Sequence, residues 1–196
     1  MLKQKIHLDL PDSIITYHPN LIDPETATHY FKILRNTVPW QHDDIKVFGK
    51  IYPQPRLTAF YGNGTKPYSY SNIIMHPRPF TDELLEIKQQ IEETEDVKFN
   101  SCLLNLYRNG KDSNGWHADD EKELGQDPII ASISLGQERP FYLRHKKDAK
   151  LRHKIILAHG SLLLMKGSTQ HYWQHQVPKT AKPIAERINL TFRIIQ

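Results

Sequence analysis

Cysteine is almost missing from this chain. Cys102 is the only one in 196 residues, so an intrachain disulfide is impossible and a zinc ribbon, which needs several thiolates, is excluded. Long apolar runs are missing too. Nothing approaches the ~20 consecutive apolar residues of a membrane helix. The opening MLKQKIHLDL lacks the apolar core of a signal peptide. Internal repeats, low-complexity tracts and Pro/Gly/Ser linkers are absent as well. A single domain spanning 1–196 is expected, in a reducing compartment, cytoplasmic or nuclear, as a monomer with no membrane partner. A chain of this length buries about two-thirds of its unfolded surface, so it needs no covalent or metal staple to fold.

What is present is a mild positive charge, +4 with a pI near 9.0, concentrated in one place. Residues 144–154 read RHKKDAKLRHK, with six Lys or Arg and a single acid. From this segment alone a solvated loop is the favoured reading, ahead of a polyanion contact.

Two amphipathic helices are predicted in the first half. Asp23 and Pro24 form a start signal, followed by Ala27, Tyr30, Phe31, Leu34 and Val38 at helical spacing; Thr81 precedes Leu84, Ile87 and Ile91 in the same rhythm. In LTAFYGNGTKPYSYS, Gly62-Asn63-Gly64 predicts a tight turn. From 101 onward the pattern changes. SCLLNLY, IIASISLG, PFYLRH, KIILAH, SLLLMKG, HYWQHQV and RINLTFRII are short, rich in β-branched and aromatic residues, and separated by turn signals. The residues therefore predict an α+β protein with helices before an antiparallel sandwich or jelly roll.

An HxD pair on a strand presents an imidazole and a carboxylate to one side. With a distant histidine it forms the facial triad of non-haem iron(II) oxygenases. This chain offers the pair three times, at His7/Asp9, His42/Asp44 and His117/Asp119, and about one is expected by chance from 11 histidines and 22 acids. Only His117/Asp119 lies in the strand-rich half, with His175 or His171 on a later segment as third ligand. On RINLTFRII, Arg187, Asn189, Thr191 and Arg193 share one face. If that face lines the interior, its two guanidiniums need anionic partners, and a dicarboxylate suits them. Asn105 and Tyr107 share a face of SCLLNLY.

Together these residues resemble the AlkB family of oxidative dealkylases, through NLY (105–107), WHADDE (116–121), ISLG (133–136), FYLRHK (141–146), HGSLLLM (159–165), His175 and RINLTFR (187–193). VFGK (47–50), Pro55-Arg56 and PYSYS (67–71) add a likeness to the part of the family that covers the base, nearest the duplex-DNA-repair subgroup. The resemblance implies a double-stranded β-helix with the helices packed outside and a substrate-covering β segment. It implies Fe(II) on His117, Asp119 and His175, with 2-oxoglutarate and O2 as cosubstrates. Asn105, Tyr107 and Thr191 would line the 2-oxoglutarate site, Arg193 would take its distal carboxylate, and Arg187 would support the site and orient the carboxylate ligand. Tyr68, Tyr70, Ser71, Glu121 and Arg56 would contact the base, and Arg144, Lys146, Lys147, Lys150 and Arg152 the phosphates. The implied activity is demethylation of 1-methyladenine- or 3-methylcytosine-type bases in DNA, and by extension RNA, releasing formaldehyde, succinate and CO2. The alternative is a related oxygenase acting on a protein, an RNA or a small molecule. NTVPWQHDDIKVFGK is short for a duplex-probing hairpin, with Trp40 its one candidate wedge, so single strands are expected to serve as well as duplexes.

Overall fold

A computed structural model describes residues 5–47, 50–64, 68–70 and 73–196, with the side chains of 45–51 and 68–74 outside that description. Its helices form where the start signals lie. In α1 (Pro24–Thr37), Asp23 Oδ1 accepts from the N–H groups of Glu25 and Thr26, satisfying two donors that a helix leaves open. Helix α2 (Asp82–Glu95) has Thr81 at its N-cap position, but that side chain makes no capping bond. Instead α2 is held at its other end. The buried Glu92 carboxylate accepts from Phe99 N, Lys88 Nζ and Lys98 Nζ, and these donors outweigh burial in holding its pKa below the usual range.

The strands make two facing sheets. Seven belong to the larger, in the order β1 (Ile6–Leu8), β2 (Ile14–His18), β13 (Ser161–Lys166), β10 (Ile130–Gly136), β15 (Arg187–Arg193), β8 (Ser101–Tyr107), β5 (Leu57–Gly62). Four form the smaller: β12 (Arg152–Leu157), β11 (Arg139–His145), β14 (Trp173–Val177) and β9 (Asn114–His117). All the pairings within both sheets are antiparallel. This is the jelly roll expected, with one difference: β1, β2 and β5 come from the first hundred residues and complete the large sheet.

The period of two in each strand sorts the core. Leu104, Leu106, Ile188, Leu190 and Phe192 face outward against Ala27, Leu34, Leu84, Ile87 and Ile91 of the two helices. Leu103, Ile130, Leu163 and Met165 face the small sheet's Phe141, Leu143, Trp173 and Val177. Each fully buried Leu or Ile contributes about 1.5–3 kcal/mol, so both faces of the large sheet are anchored.

Gly62-Asn63-Gly64 does not close a hairpin. Strand β5 pairs with β8, and Asn63 N donates to Asn100 O; β6 (Tyr68–Tyr70) pairs with β7 (Ile73–Met75) instead. Buried Ala59 and Phe60 anchor β5 against β8. A short hairpin, β3 (Asp44–Val47) with β4 (Lys50–Pro53), covers part of the segment 36–50. Trp40 is no wedge: its Nε1 donates to Arg35 O and its ring packs on the helix-side core. Within PYSYS, Ser71 lies outside the described residues, as do the side chains of Tyr68 and Tyr70; Phe48 and Gly49 of VFGK are outside them too.

Candidate metal and 2-oxoglutarate site

Between the sheets lies a cavity whose large-sheet wall is built by three adjacent strands. Register puts Asn105 opposite Asn189, Tyr107 opposite Arg187, and Ser134 opposite Asn189. The alternation on β15 is as predicted: Arg187, Asn189, Thr191 and Arg193 line the cavity while Ile188, Leu190 and Phe192 enter the core. Polar groups on this wall satisfy each other, as buried ones must. Asn189 Nδ2 donates to Ser132 Oγ (2.8 Å), Thr191 Oγ1 donates to Asn189 Oδ1 (3.0 Å), and Asn105 Nδ2 lies 3.4 Å from the same oxygen. Ser132 and Ser134 were missed, although their alternation with Ile133 and Leu135 was visible in IASISLG.

The small sheet supplies the opposite wall. His117 ends β9 directly across from His175 on β14, and their rings approach to 4.2 Å between centroids. Asp119 lies two residues past the end of β9, so strand parity does not place its carboxylate. Gln170 does, since its Oε1 accepts the Asp119 backbone N–H at 2.9 Å. No sequence signal marked Gln170, a buried residue of the short helix α3 (Thr169–Tyr172). That helix also breaks the parity that made His171 a rival. His171 is exposed and pairs with Asp127 at 3.0 Å, while His175 is buried at the site. The other HxD pairs are elsewhere: His42 Nε2 lies 3.0 Å from Gln54 O, and His7 Nδ1 lies 3.4 Å from Thr16 Oγ1.

One ligand atom each from His117, Asp119 and His175 falls within a 4.8 Å group, the only such cluster among the described residues. Its chemistry fits a divalent iron. The His117 Nδ1 lies 2.8 Å from Gly115 O; donation there leaves the Nε2 lone pair for an ion. Burial, then the neighbouring His117 ring, pushes the His175 pKa down to about 3, so that imidazole is neutral and able to ligate. The Asp119 pKa is low despite burial, because Arg193 lies beside it.

The two arginines of β15 differ in what they contact. Arg193 Nη2 donates to Asp119 Oδ1 at 2.7 Å, at the ligand end of the cavity. Arg187 is the deep one. Its Nη2 donates to Ser134 Oγ (2.9 Å), its guanidinium lies 5.2 Å from the Tyr107 ring centre, and its Nε and Nη1 are buried without an acceptor in hydrogen-bond geometry. Burial pushes its pKa down to about 10. A buried cation with idle donors fits a carboxylate. Parity shows that two arginines share a face and not which end of the cavity each occupies.

Arg56 does not face a base. It is buried, donating to Asn105 Oδ1 (2.7 Å) and Ser113 O (3.2 Å) behind the cavity wall. Glu121 is half-buried, and burial, then the Asp119 charge, raises its pKa. In the basic segment, Arg144 stacks on Trp116 and donates twice to Gln174 Oε1, and Lys146 Nζ binds Asp120 Oδ2 and Gln170 O. Lys147, Lys150 and Arg152 are exposed.

Because Gln170 holds Asp119 through its backbone, Gln170→Leu is expected to weaken Fe(II) or Co(II) affinity about 10–100-fold, the usual effect of removing a ligand's support. Titration of the metal-free protein would show it; unchanged affinity would mean that the loop positions Asp119 unaided.

Comparison with known proteins agrees with this geometry. The family model described as the 2OG-Fe(II) oxygenase superfamily matches residues 14–193. The chain is 47% identical over 191 residues to the cattle (Bos taurus) protein named alpha-ketoglutarate-dependent dioxygenase alkB homolog 3, covering 90% of this chain and 64% of that one. The human (Homo sapiens) protein of that name is 44% identical, over 93% of this chain and 66% of its own length. The Arabidopsis thaliana protein named DNA oxidative demethylase ALKBH2 is 39% identical, over 93% of this chain and 67% of its own. The chain thus spans just under two-thirds of the length of the first two. A solved structure, OsALKBH1, superposes with a TM-score of 0.65 at 16% identity, over 97% of this chain and all of that one, which extends the agreement to the fold alone.

Proposed function

Because the chain belongs to the 2OG-Fe(II) oxygenase superfamily and, within it, to the AlkB family, we propose that it oxidatively demethylates N-methylated bases of the 1-methyladenine and 3-methylcytosine type in nucleic acid. The observation that carries this reading is the pairing of a His117–Asp119–His175 ligand cluster with the deep, acceptor-poor Arg187 across one cavity. When bound, Fe(II) with 2-oxoglutarate and O2 supplies the oxidation of the N-methyl carbon, and the cosubstrate leaves as succinate and CO2.

The residues of this chain then divide the work. His117, Asp119 and His175 would hold the metal. Arg187 takes the distal carboxylate, with the Tyr107 hydroxyl beside it; Asn105, Asn189 and Thr191 give the cosubstrate a polar wall. Arg193 fixes the Asp119 carboxylate by charge. Arg56 braces Asn105 from behind. A base cannot reach this cavity from within a duplex, so it must leave the stack. Among the described residues Trp40 is docked on the helix-side core and is not available as a wedge, which supports single-stranded substrates. Tyr68, Tyr70 and Ser71 would cover the flipped base, and Arg144, Lys147, Lys150 and Arg152 would meet phosphates, with steep salt dependence. Lys146, already tied to Asp120, would serve instead as a strut.

The named lesions are cationic, and a carboxyl such as Glu121, close to Asp119, suits a cation. Glu121→Gln is expected to lower kcat/KM for 3-methylcytosine relative to a neutral N-methylated base, by about tenfold for one charged contact; an unaltered ratio would remove Glu121 from recognition. The function is tested by supplying a panel of single-stranded and duplex oligonucleotides and a methylated peptide, and measuring formaldehyde. Release from methylated oligonucleotides alone is expected. Release from the peptide alone would move the activity to a protein substrate.

A further inference from the structure

The reverse side of the small sheet has a chemistry that the cavity does not use. Strands alternate, so the residues next to His117, His175, Phe141 and Leu143 point away from the cavity. They are Trp116 on β9, Gln174 and Gln176 on β14, and Tyr142 and Arg144 on β11, continued by Arg152 and Lys154 on β12. All are half-buried or exposed. The four strands carry Arg139, Arg144, Arg152 and Lys154 and no Asp or Glu at all.

This arrangement is unfavourable for a sheet left to itself. Arg144 and Arg152 stand directly opposite each other in register, a like-charge pairing that destabilises an antiparallel ladder. Every aromatic ring on the face carries a cation. The Arg144 guanidinium lies 4.3 Å from the Trp116 ring centre, clamped by two bonds to Gln174 Oε1 (3.0 and 2.8 Å), and Lys154 Nζ lies 5.8 Å from the Tyr142 ring centre. Ile156, beyond them on the same edge strand, is 44% exposed.

We propose that this face is a platform for the single strand flanking the lesion, with bases stacking on the Trp116–Arg144 and Tyr142 surfaces and phosphates meeting Arg152 and Lys154. The platform rests on the nucleic-acid reading of the cavity, and it deepens that reading from one base to a strand. Cations interleaved with π-faces are what sequence-tolerant single-strand binding requires. Four strands about 4.8 Å apart make a face about 15 Å wide, comparable to the smallest single-strand footprints of about four nucleotides. A guanidinium already flat on an indole loses little freedom when a base adds a third layer.

The test uses the full chain and two readouts. Fluorescence anisotropy measures binding of a labelled, unmodified single-stranded 12-mer, and formaldehyde release measures turnover of a trinucleotide centred on 3-methylcytosine, too short to reach the platform. The double substitution Tyr142→Ala/Lys154→Glu, at two side chains on the outward face of the sheet, is compared with the unaltered protein. We expect 12-mer binding to weaken about tenfold, with its log-log salt slope falling by about one to two, while trinucleotide turnover stays within about twofold. A photoreactive base placed four nucleotides from the lesion should crosslink to Trp116 or Tyr142. Unchanged 12-mer binding together with crosslinks confined to other segments would overturn the platform, whatever the turnover. Platform-dependent binding with no turnover on any methylated substrate would instead overturn the demethylase reading and leave the platform standing.

Discussion

Asp119→Ala is expected to abolish 2-oxoglutarate turnover and also to lower the melting temperature of the metal-free protein by on the order of 10 °C. Loss of turnover follows from loss of the one carboxylate in the ligand cluster. The second effect follows from Arg193. Its side chain is 4% exposed and lies 2.7 Å from an Asp119 carboxylate that is 2% exposed. Breaking so buried a pair costs about 3–5 kcal/mol, and a domain of this size shifts about 2–4 °C per kcal/mol. The double substitution Asp119→Ala/Arg193→Met should recover much of the melting temperature and none of the turnover. A single substitution that leaves the apo melting temperature unchanged would show that Arg193 finds another partner and that the ion pair is not what holds this wall together.

Arg187→Met should behave in the opposite way. Arg187 is buried, has idle donors, and is held below its ordinary pKa by desolvation. A cation in that condition opposes folding until an anion arrives. The apo protein should therefore be as stable or more stable with Met at 187, because apolar replacement of an ill-compensated buried charge is neutral or favourable. The affinity for 2-oxoglutarate should nevertheless fall about 100-fold, the usual cost of truncating one side of a desolvated charge pair. Calorimetric titration with 2-oxoglutarate, alongside thermal unfolding, reads both. Loss of stability with unchanged affinity would return the distal carboxylate to Arg193.

These two arginines also show where sequence stops being informative. Alternation on RINLTFRII placed both on one face, and that face does line the cavity. Alternation likewise put Asn105 and Tyr107 on the same wall, and the strand-rich context singled out His117 from three HxD pairs. The order of the arginines depends on depth along the barrel, which a period of two does not contain. Asp119 and His175 were identified by type and spacing, yet what positions them could not be: the strand ends at His117, and Gln170 reaches Asp119 across 51 residues. Arg56 was placed at the base because of the motif around it. Its burial against Asn105 follows from β5 joining β8, a long-range pairing that local sequence does not contain. Polar residues between apolar ones on IASISLG were legible in principle: Ser132 lines the cavity beside Asn189, and Ser134 accepts from Arg187.

The central claim is that the ligand cluster and Arg187 act together on a methylated base. Its most direct test is a single-turnover measurement on a single-stranded oligonucleotide containing 3-methylcytosine. Protein loaded anaerobically with Fe(II) and 2-oxoglutarate is exposed to O2, and formaldehyde, succinate and restored cytosine are counted together. Equal yields of all three, absent when either Fe(II) or 2-oxoglutarate is withheld, are the predicted result. Binding of both cofactors with no formaldehyde from this or a 1-methyladenine oligonucleotide would contradict it.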